Sequence, residues 1–190
     1  MSFTESELLD QWRRIDGDGV AGSLADGIIQ AAVRHGVAPE VFVALCSEET
    51  NLTDELGDGG HGVGPCQIDD RSWEIARVAK ATGLWRSDPA PLLDRGAEIL
   101  SGNLGWAKRL WPELAAPDQL LKIALSAYNC GPGNAERGHD EGDSDKYTAN
   151  GHYGAEILAK AAVFRPWVLA HIANHPELLE VTPVPAGYAA

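Results

Sequence analysis

The chain has 190 residues, 44% of them hydrophobic and 23% charged, which is ordinary for a globular domain. Lys and Arg number 15 against 28 Asp and Glu, so the formal net charge is −13 at pH 7. Nucleic-acid binders need cationic surfaces to neutralise phosphates, and polybasic proteins bind anionic lipid, so this charge argues against both kinds of partner. The length suffices for one domain with its own hydrophobic core.

The N-terminal sequence, MSFTESELLDQW, contains neither the basic nor the apolar region of a secretory signal. No apolar stretch approaches the roughly 18–20 residues that a membrane-spanning helix needs. We therefore expect a protein that is made in a cytoplasm without a signal peptide and has no membrane partner. We also expect a monomer.

The three cysteines, Cys46, Cys66 and Cys130, are odd in number and widely spaced. They form no disulfide framework and no C-x-x-C zinc pair, so we expect reduced thiols. The segment that starts at Asp16 begins like a calcium-binding loop, but Gly27 stands where such a loop needs glutamate. The sequence therefore predicts neither a metal nor a cofactor.

Capping residues and apolar periodicity predict six or seven helices. Thr4 and Glu7 have the pattern of a capping box, and Ser23 is a typical N-cap. Pro39 suits the first helical position. The predicted helices cover residues 4–15, 23–35, 39–51, 70–82, 88–111, 117–129 and 150–175.

Two segments do not have the helical pattern. Residues 54–68 contain five glycines, which indicates loops around a small hairpin. Residues 136–145 are predicted to form an acidic loop, for which a solvated surface position is favoured. The predicted fold class is α+β, predominantly α, with a small β-sheet or hairpin.

The third predicted helix carries a carboxyl group at the end of an apolar stripe. Phe42, Cys46 and Glu49 share one helical face, whereas Glu48 falls off it. Burial raises the pKa of a carboxyl group, and a protonated glutamate can act as a general acid. The alternative is that Glu49 turns into solvent at a frayed helix end.

The glycine-rich segment brings two more carboxyl groups, Asp58 and Asp69, close to this helix. One carboxyl in an apolar setting with others in a polar setting is how glycoside hydrolysis separates its acid from its base. The alternatives are a turn aspartate for Asp58 and, for Asp69, a helix N-cap ahead of Trp73.

Four ordered motifs between Ser23 and Phe164 carry a family resemblance. They are ETN from Glu49, GDGGHGVGPCQID from Gly57 to Asp69, AYNCGPGN from Ala127 to Asn134, and HYGAEILAK from His152 to Lys160. In these motifs the chain resembles the goose-type lysozymes and, more distantly, the soluble lytic transglycosylases. It departs from the goose-type pattern in a shorter link between Glu49 and Asp58, in Pro65-Cys66, and in Trp73, which stands where the family has histidine.

The resemblance implies a lysozyme-like helical domain whose small sheet edges the cleft. It places the catalytic domain at residues 23–176, between an N-terminal helical arm over 1–22 and a C-terminal tail over 177–190. By resemblance Glu49 is the general acid, and Asp58 and Asp69 hold and activate water.

The same resemblance assigns the sugar-binding groove. Gln67, Tyr128, Asn129 and Tyr153 are implied to line it, and His61 and Trp73 are further substrate-binding candidates. Trp73 would stack on a sugar ring, with core packing as its alternative.

The implied function is a peptidoglycan-degrading muramidase, acting on glycan strands and inverting the anomeric centre. One alternative is a lytic transglycosylase, which needs the acid but no water. Another is a non-catalytic murein-binding part of a phage tail or injection device. For access to the cell wall, delivery by a phage holin, a phage tail or an injection system is expected.

Overall fold

Helices dominate the computed structural model, which describes residues 3–17, 22–114 and 116–180. The α-helices in this part are α1 (Glu5–Asp16), α2 (Leu24–Arg34), α3 (Pro39–Thr50), α4 (Glu74–Thr82), α5 (Leu84–Ser87), α6 (Ala90–Leu110), α7 (Pro117–Cys130), α8 (Pro132–Asp140) and α9 (Tyr153–Asn174). The strands β1 (Leu56–Gly57), β2 (Gly62–Val63) and β3 (Ile68–Asp69) form an antiparallel sheet in the order β1-β2-β3. The predicted fold class, α+β and predominantly α, is confirmed.

Local signals set the helix starts as predicted. Thr4 closes a capping box with Glu7, and the Ser23 hydroxyl accepts from the Asp26 amide. Helix α4 starts later than predicted, at Glu74, because the chain from Asp69 first makes a turn. In that turn the Asp69 carbonyl accepts from the amides of Ser72 and Trp73.

The centre of the fold is the pair α3 and α9. Residues 41–46 of α3 are buried in an unbroken run, so this helix is enclosed on all sides, as a central helix must be. Phe42 packs in the same cluster as Ile157 and Phe164 of α9. Full burial of side chains of this size contributes roughly 1.5–3 kcal/mol each.

Helix α1 of the predicted arm packs into this same core. Leu8, Trp12 and Ile15 are buried against it. His171 of α9 bridges Asp16 and Asp26 through its two ring nitrogens, which ties α9 to both α1 and α2. The proposed division at residues 22 and 176 stays a prediction. Residues 18–21 of the calcium-like segment and residues 181–190 of the predicted tail lie outside the described residues.

The prediction of an acidic loop over residues 136–145 is wrong. The chain forms α8 and then a 3₁₀ turn, Ser144–Tyr147. Gly138 permits this close packing, since a Cβ there would lie 2.6 Å from the Asp143 carbonyl oxygen. Asp145 is fully buried and accepts from the amides of Gly154 at 2.7 Å and Ala155 at 3.0 Å. An acidic residue therefore fixes the start of α9, where the negative charge also complements the helix dipole.

Among the described residues no helix combines the length and the apolar character needed to cross a membrane.

Candidate active site

Glu49 lies in the last turn of α3, opposite the first residue of α9. The Tyr153 hydroxyl donates a hydrogen bond to its carboxylate. Burial raises the pKa of Glu49 to about 7; the bond from Tyr153 works against this shift, and the neighbouring charge of Glu48 adds to it. The side chain does not turn out at a frayed helix end, and its carboxyl group is close to half protonated at neutral pH.

The adjacent glutamate has a different environment. Glu48 forms an ion pair with Lys160 at 2.8 Å, and the two side chains are only 15% and 8% exposed. This ion pair joins α3 to α9, with the Lys160 ammonium as the partner of the Glu48 carboxylate. The two neighbouring glutamates thus have different partners: the Lys160 ammonium for Glu48 and the Tyr153 hydroxyl for Glu49.

An apolar wall surrounds Glu49. Cys46 and Cys66 are fully buried free thiols, and the Tyr128 hydroxyl donates to the Cys66 carbonyl at 2.8 Å. Burial raises the pKa values of Cys46 and Tyr128 well above their usual values. Cys46 and Tyr128 are therefore neutral at physiological pH and offer Glu49 no counter-charge. The thiol of Cys130 is also free.

Thr50 links the end of α3 to the loop between β2 and β3. Its hydroxyl lies 3.1 Å from the Cys46 carbonyl and 3.0 Å from the Pro65 carbonyl. On the other side, the Cys66 thiol donates to the Leu92 carbonyl of α6 at 3.2 Å. The segment that leads to Asp69 is thus held against both α3 and α6.

Arg71 brings the two predicted aspartates together. Its guanidinium contacts Asp58 at 2.6 Å and Asp69 at 2.8 Å. Asp69 also accepts from the Arg71 amide at 2.9 Å and from the Ser72 hydroxyl at 3.2 Å. The hydrogen bond from Arg71 is the main cause that lowers the pKa of Asp69.

These contacts bear on the alternatives for both aspartates. Asp69 organises its own turn rather than capping α4, whose N-cap residue is Trp73. Asp58 starts a 3₁₀ turn with a φ of 48°, so it is a turn residue as well as an Arg71 partner. Its side chain is 66% exposed and that of Asp69 is 36% exposed, which gives both carboxylates access to water.

Sequence reasoning missed Arg71. The signal was available, because no Lys or Arg occurs between Arg34 and Arg71. A first cation directly after an acidic, glycine-rich segment is a natural partner for the carboxylates of that segment.

The Gln67 side chain lies against Gly57 of β1 and Gly62 of β2. Its amide nitrogen donates to the carbonyls of Gly64 at 2.9 Å and Glu55 at 3.1 Å. Its amide oxygen lies where a Cβ on Gly57 or Gly62 would come within 2.1 Å or 2.2 Å of it. A Cβ on either glycine would therefore force the end of the Gln67 side chain to move.

The remaining predicted groove residues have distinct settings. The Asn129 side chain is exposed and accepts from the Ala149 amide at 2.9 Å. His61 is 45% exposed and pairs with Asp70 at 2.7 Å. Trp73 packs partly on the core, and the Arg95 guanidinium lies 4.6 Å from its ring centroid. One face of Trp73 is thus covered by a cation.

In the described part of the chain no three His, Cys, Asp or Glu side chains are arranged to hold a metal ion. A desolvated helical acid and two solvent-exposed carboxylates at a small sheet are the kinds of group that glycoside hydrolases use.

Comparison with known proteins identifies the family. The family described as Lysozyme g matches residues 23–166. Lysozyme g of Epinephelus coioides is 27% identical over 146 residues, which cover 73% of this chain and 72% of that protein. For lysozyme g of Struthio camelus the identity is 31% over 133 residues, covering 68% and 59%. For lysozyme g of Casuarius casuarius it is 29% over 164 residues, covering 77% and 82%. The chain therefore belongs to the lysozyme g family and is a glycoside hydrolase, so the predicted resemblance is confirmed.

Proposed function

We propose that this chain is a muramidase that hydrolyses the β-1,4 bond between N-acetylmuramic acid and N-acetylglucosamine in peptidoglycan, with inversion at the anomeric carbon. The observation that carries this proposal is the Glu49 carboxyl group. It is desolvated, held by Tyr153 and has a pKa of about 7. A carboxylic acid that stays partly protonated at neutral pH is what protonation of a glycosidic oxygen requires.

The reaction divides into an acid part and a water part. Glu49 gives its proton to the leaving glycosidic oxygen while the bond to the anomeric carbon breaks. Asp58 and Asp69 orient a water molecule on the opposite face of the sugar and take up its proton as it attacks. Inverting enzymes use carboxyl groups about 6.5–9.5 Å apart because this water must fit between them.

The candidate groove residues differ in how exposed their side chains are and in whether backbone carbonyls already bind their polar atoms. Asn129 and His61 are exposed enough to meet a sugar, and we propose them as direct contacts. The Gln67 amide nitrogen and the Tyr128 hydroxyl are engaged by backbone carbonyls. For these two, and for the half-covered Trp73, we propose a role in shaping the groove wall.

The alternative reaction is lytic transglycosylation, in which the muramyl C6 hydroxyl attacks the anomeric carbon. This reaction uses Glu49 but has no need for activated water. The two solvent-exposed carboxylates that contact Arg71 support hydrolysis, because a transglycosylase has no water to activate and would not need them.

Product analysis separates the two reactions. Purified murein digested in ¹⁸O-labelled water should yield reducing muramyl ends that carry one ¹⁸O atom by mass spectrometry. Products dominated by unlabelled 1,6-anhydromuramyl ends, each lighter by one water, would replace hydrolysis with transglycosylation. NMR of the first anomer released tests inversion.

The acid itself is tested by Glu49→Gln. This variant should fold and lose activity by roughly 10²–10⁴-fold, the range typical of a general acid. Glu40→Gln, the same exchange in the first turn of α3, is the matched control and should keep full activity. Near-normal activity of Glu49→Gln would overturn the assignment.

The third candidate is a murein-binding part without catalysis. Folded protein that pellets with murein but releases no soluble fragments would favour it.

A further inference from the structure

Helix α1 precedes the segment that the family match covers, which begins at residue 23. Three of its side chains, Leu8, Trp12 and Ile15, are nevertheless buried in the common core. Burial on one face fixes the rotation of a helix, so the polar residues beside these three are held in a defined position.

Two of these polar residues reach the helix turn that carries Glu49. The Ser47 hydroxyl donates to Gln11 Oε1 at 2.6 Å, and Gln11 Nε2 donates to Asn51 Oδ1 at 3.2 Å. Arg14 Nη2 donates to the Asn51 carbonyl at 2.6 Å. Ser47 is fully buried. The two contacted residues, Ser47 and Asn51, stand two positions before and two positions after Glu49.

The backbone at this point is one that needs support. Asn51 and Leu52 have φ values of 55° and 59°, in the left-handed region that non-glycine residues rarely adopt. The Asn51 amide donates to the Ser47 carbonyl at 2.9 Å and the Leu52 amide to the Cys46 carbonyl at 3.3 Å. Arg14 adds a cation at the carbonyl end of α3, where the helix dipole favours positive charge.

We propose that Gln11 and Arg14 are positioning residues for the general acid. They hold the last turn of α3 so that the Glu49 carboxyl stays against Tyr153 and inside its apolar wall. This inference rests on the proposed function. Neither residue needs to touch substrate, because both act through Ser47 and Asn51.

Loosening the last turn of α3 should favour the charged form of Glu49. If the turn frays, Glu49 gains access to water, and hydration favours its charged form. The protonated fraction at neutral pH then falls, and with it the supply of catalytic protons. A helix that only added stability would not alter the ionisation of Glu49.

The test compares variants on one helix. Gln11→Leu removes two hydrogen bonds without a change of charge, and Arg14→Gln removes the third. Arg13→Gln is the matched control, since Arg13 is 68% exposed and lies 3.9 Å from Asp10. We expect both test variants to lower kcat on soluble murein glycans about tenfold with KM nearly unchanged. Arg14→Lys should restore most of the rate, and Arg13→Gln should match the wild type.

A second readout needs no turnover. Titration of the Glu49 carboxyl carbon by NMR should give a lower pKa in Gln11→Leu than in the wild type. An unchanged Glu49 titration together with rates equal to those of Arg13→Gln would overturn the inference, even if thermal stability falls. Arg14 is exposed, so Arg14→Gln supplies the answer if Gln11→Leu fails to fold. A wild type inactive on murein would refute the proposed function alone, because the titration still reports the position of Glu49.

Discussion

Tyr153 donates a hydrogen bond to Glu49 across 104 positions of sequence, and this bond opposes the effect of burial on the same carboxyl group. Burial favours the protonated acid, whereas a donor to the carboxylate favours the ionised form. The outcome is a pKa of about 7, near the pH at which a general acid can both hold and give up its proton.

Removal of the Tyr153 hydroxyl should therefore shift this balance in a known direction. In Tyr153→Phe the charged form of Glu49 loses its donor, so its pKa rises and the alkaline limb of kcat/KM moves up by about one pH unit. The maximal rate should fall about tenfold because the acid is no longer oriented. Tyr147→Phe is the matched control, since the Tyr147 hydroxyl donates to Glu141 instead. An alkaline limb that stays in place or moves down would contradict this account.

The raised pKa of Glu49 also predicts a pH-dependent cost in stability. The folded pKa of about 7 exceeds the value near 4.3 of an unfolded chain, so the folded state loses stability as pH rises between these values. Glu49→Gln lacks this ionisation. It should be more stable than the wild type at pH 8 by up to about 3 kcal/mol and equally stable at pH 4. Urea denaturation at the two pH values measures the difference, and Glu40→Gln should show no gain in stability at pH 8. Equal effects at both pH values would argue against a desolvated Glu49.

Arg71 should control the acidic limb of the same profile. In Arg71→Gln the Asp69 carboxylate loses its main stabilising donor, so its pKa rises and the acidic limb moves to higher pH. Turnover should also fall, because Asp58 and Asp69 lose the cation that spaces them. Stability should change little, since these are exposed ion pairs. Arg109→Gln, with the same loss of charge on α6, should leave the profile unchanged. If both variants show the same acidic limb, Arg71 has no part in the reaction.

Most helices of this fold could be predicted because their signals are local. Thr4, Ser23 and Pro39 act within one helical turn, and each helix begins where these residues indicate. Helix α8 gave a weaker signal: Pro132 suits its first position, but its nine residues, PGNAERGHD, include two glycines, which disfavour a helix. It forms through tertiary packing at Gly138, which no local rule anticipates.

The parts of the site that depend on local sequence could be predicted, whereas contacts between distant elements could not. The placement of Glu49 on the apolar face follows from helical periodicity alone. Its contact with Tyr153 joins the two central helices, and only the family resemblance put both residues in one groove. The support from Gln11 was beyond prediction, because it depends on how α1 packs against α3.

Asp145 lies in the acidic segment that was wrongly predicted to form a loop, and its structural role can be tested by substitution. It is fully buried and binds the Ser126 hydroxyl at 2.8 Å as well as the first amides of α9. Asp145→Ala removes the side-chain acceptor of the Gly154 and Ala155 amides, whereas the Ser126 hydroxyl still bonds to the Lys122 carbonyl, so we expect a loss of about 2–4 kcal/mol in the free energy of unfolding. Asp140→Ala, at an exposed position on α8, should change it by less than about 0.5 kcal/mol. A loss in Asp145→Ala no larger than in the control would mean that the buried carboxylate does not anchor α9.

The two buried thiols near Glu49 can report on local opening of the native structure. Cys46 and Cys66 are shut off from solvent between α3, the sheet and α6, and burial keeps Cys46 protonated. An alkylating reagent reaches them only when these elements separate. Half-buried Cys130 reacts without that event and serves as an internal reference. The rate of the slow labelling phase, compared with the fast phase from Cys130, therefore measures how often the wall around Glu49 opens in the native protein.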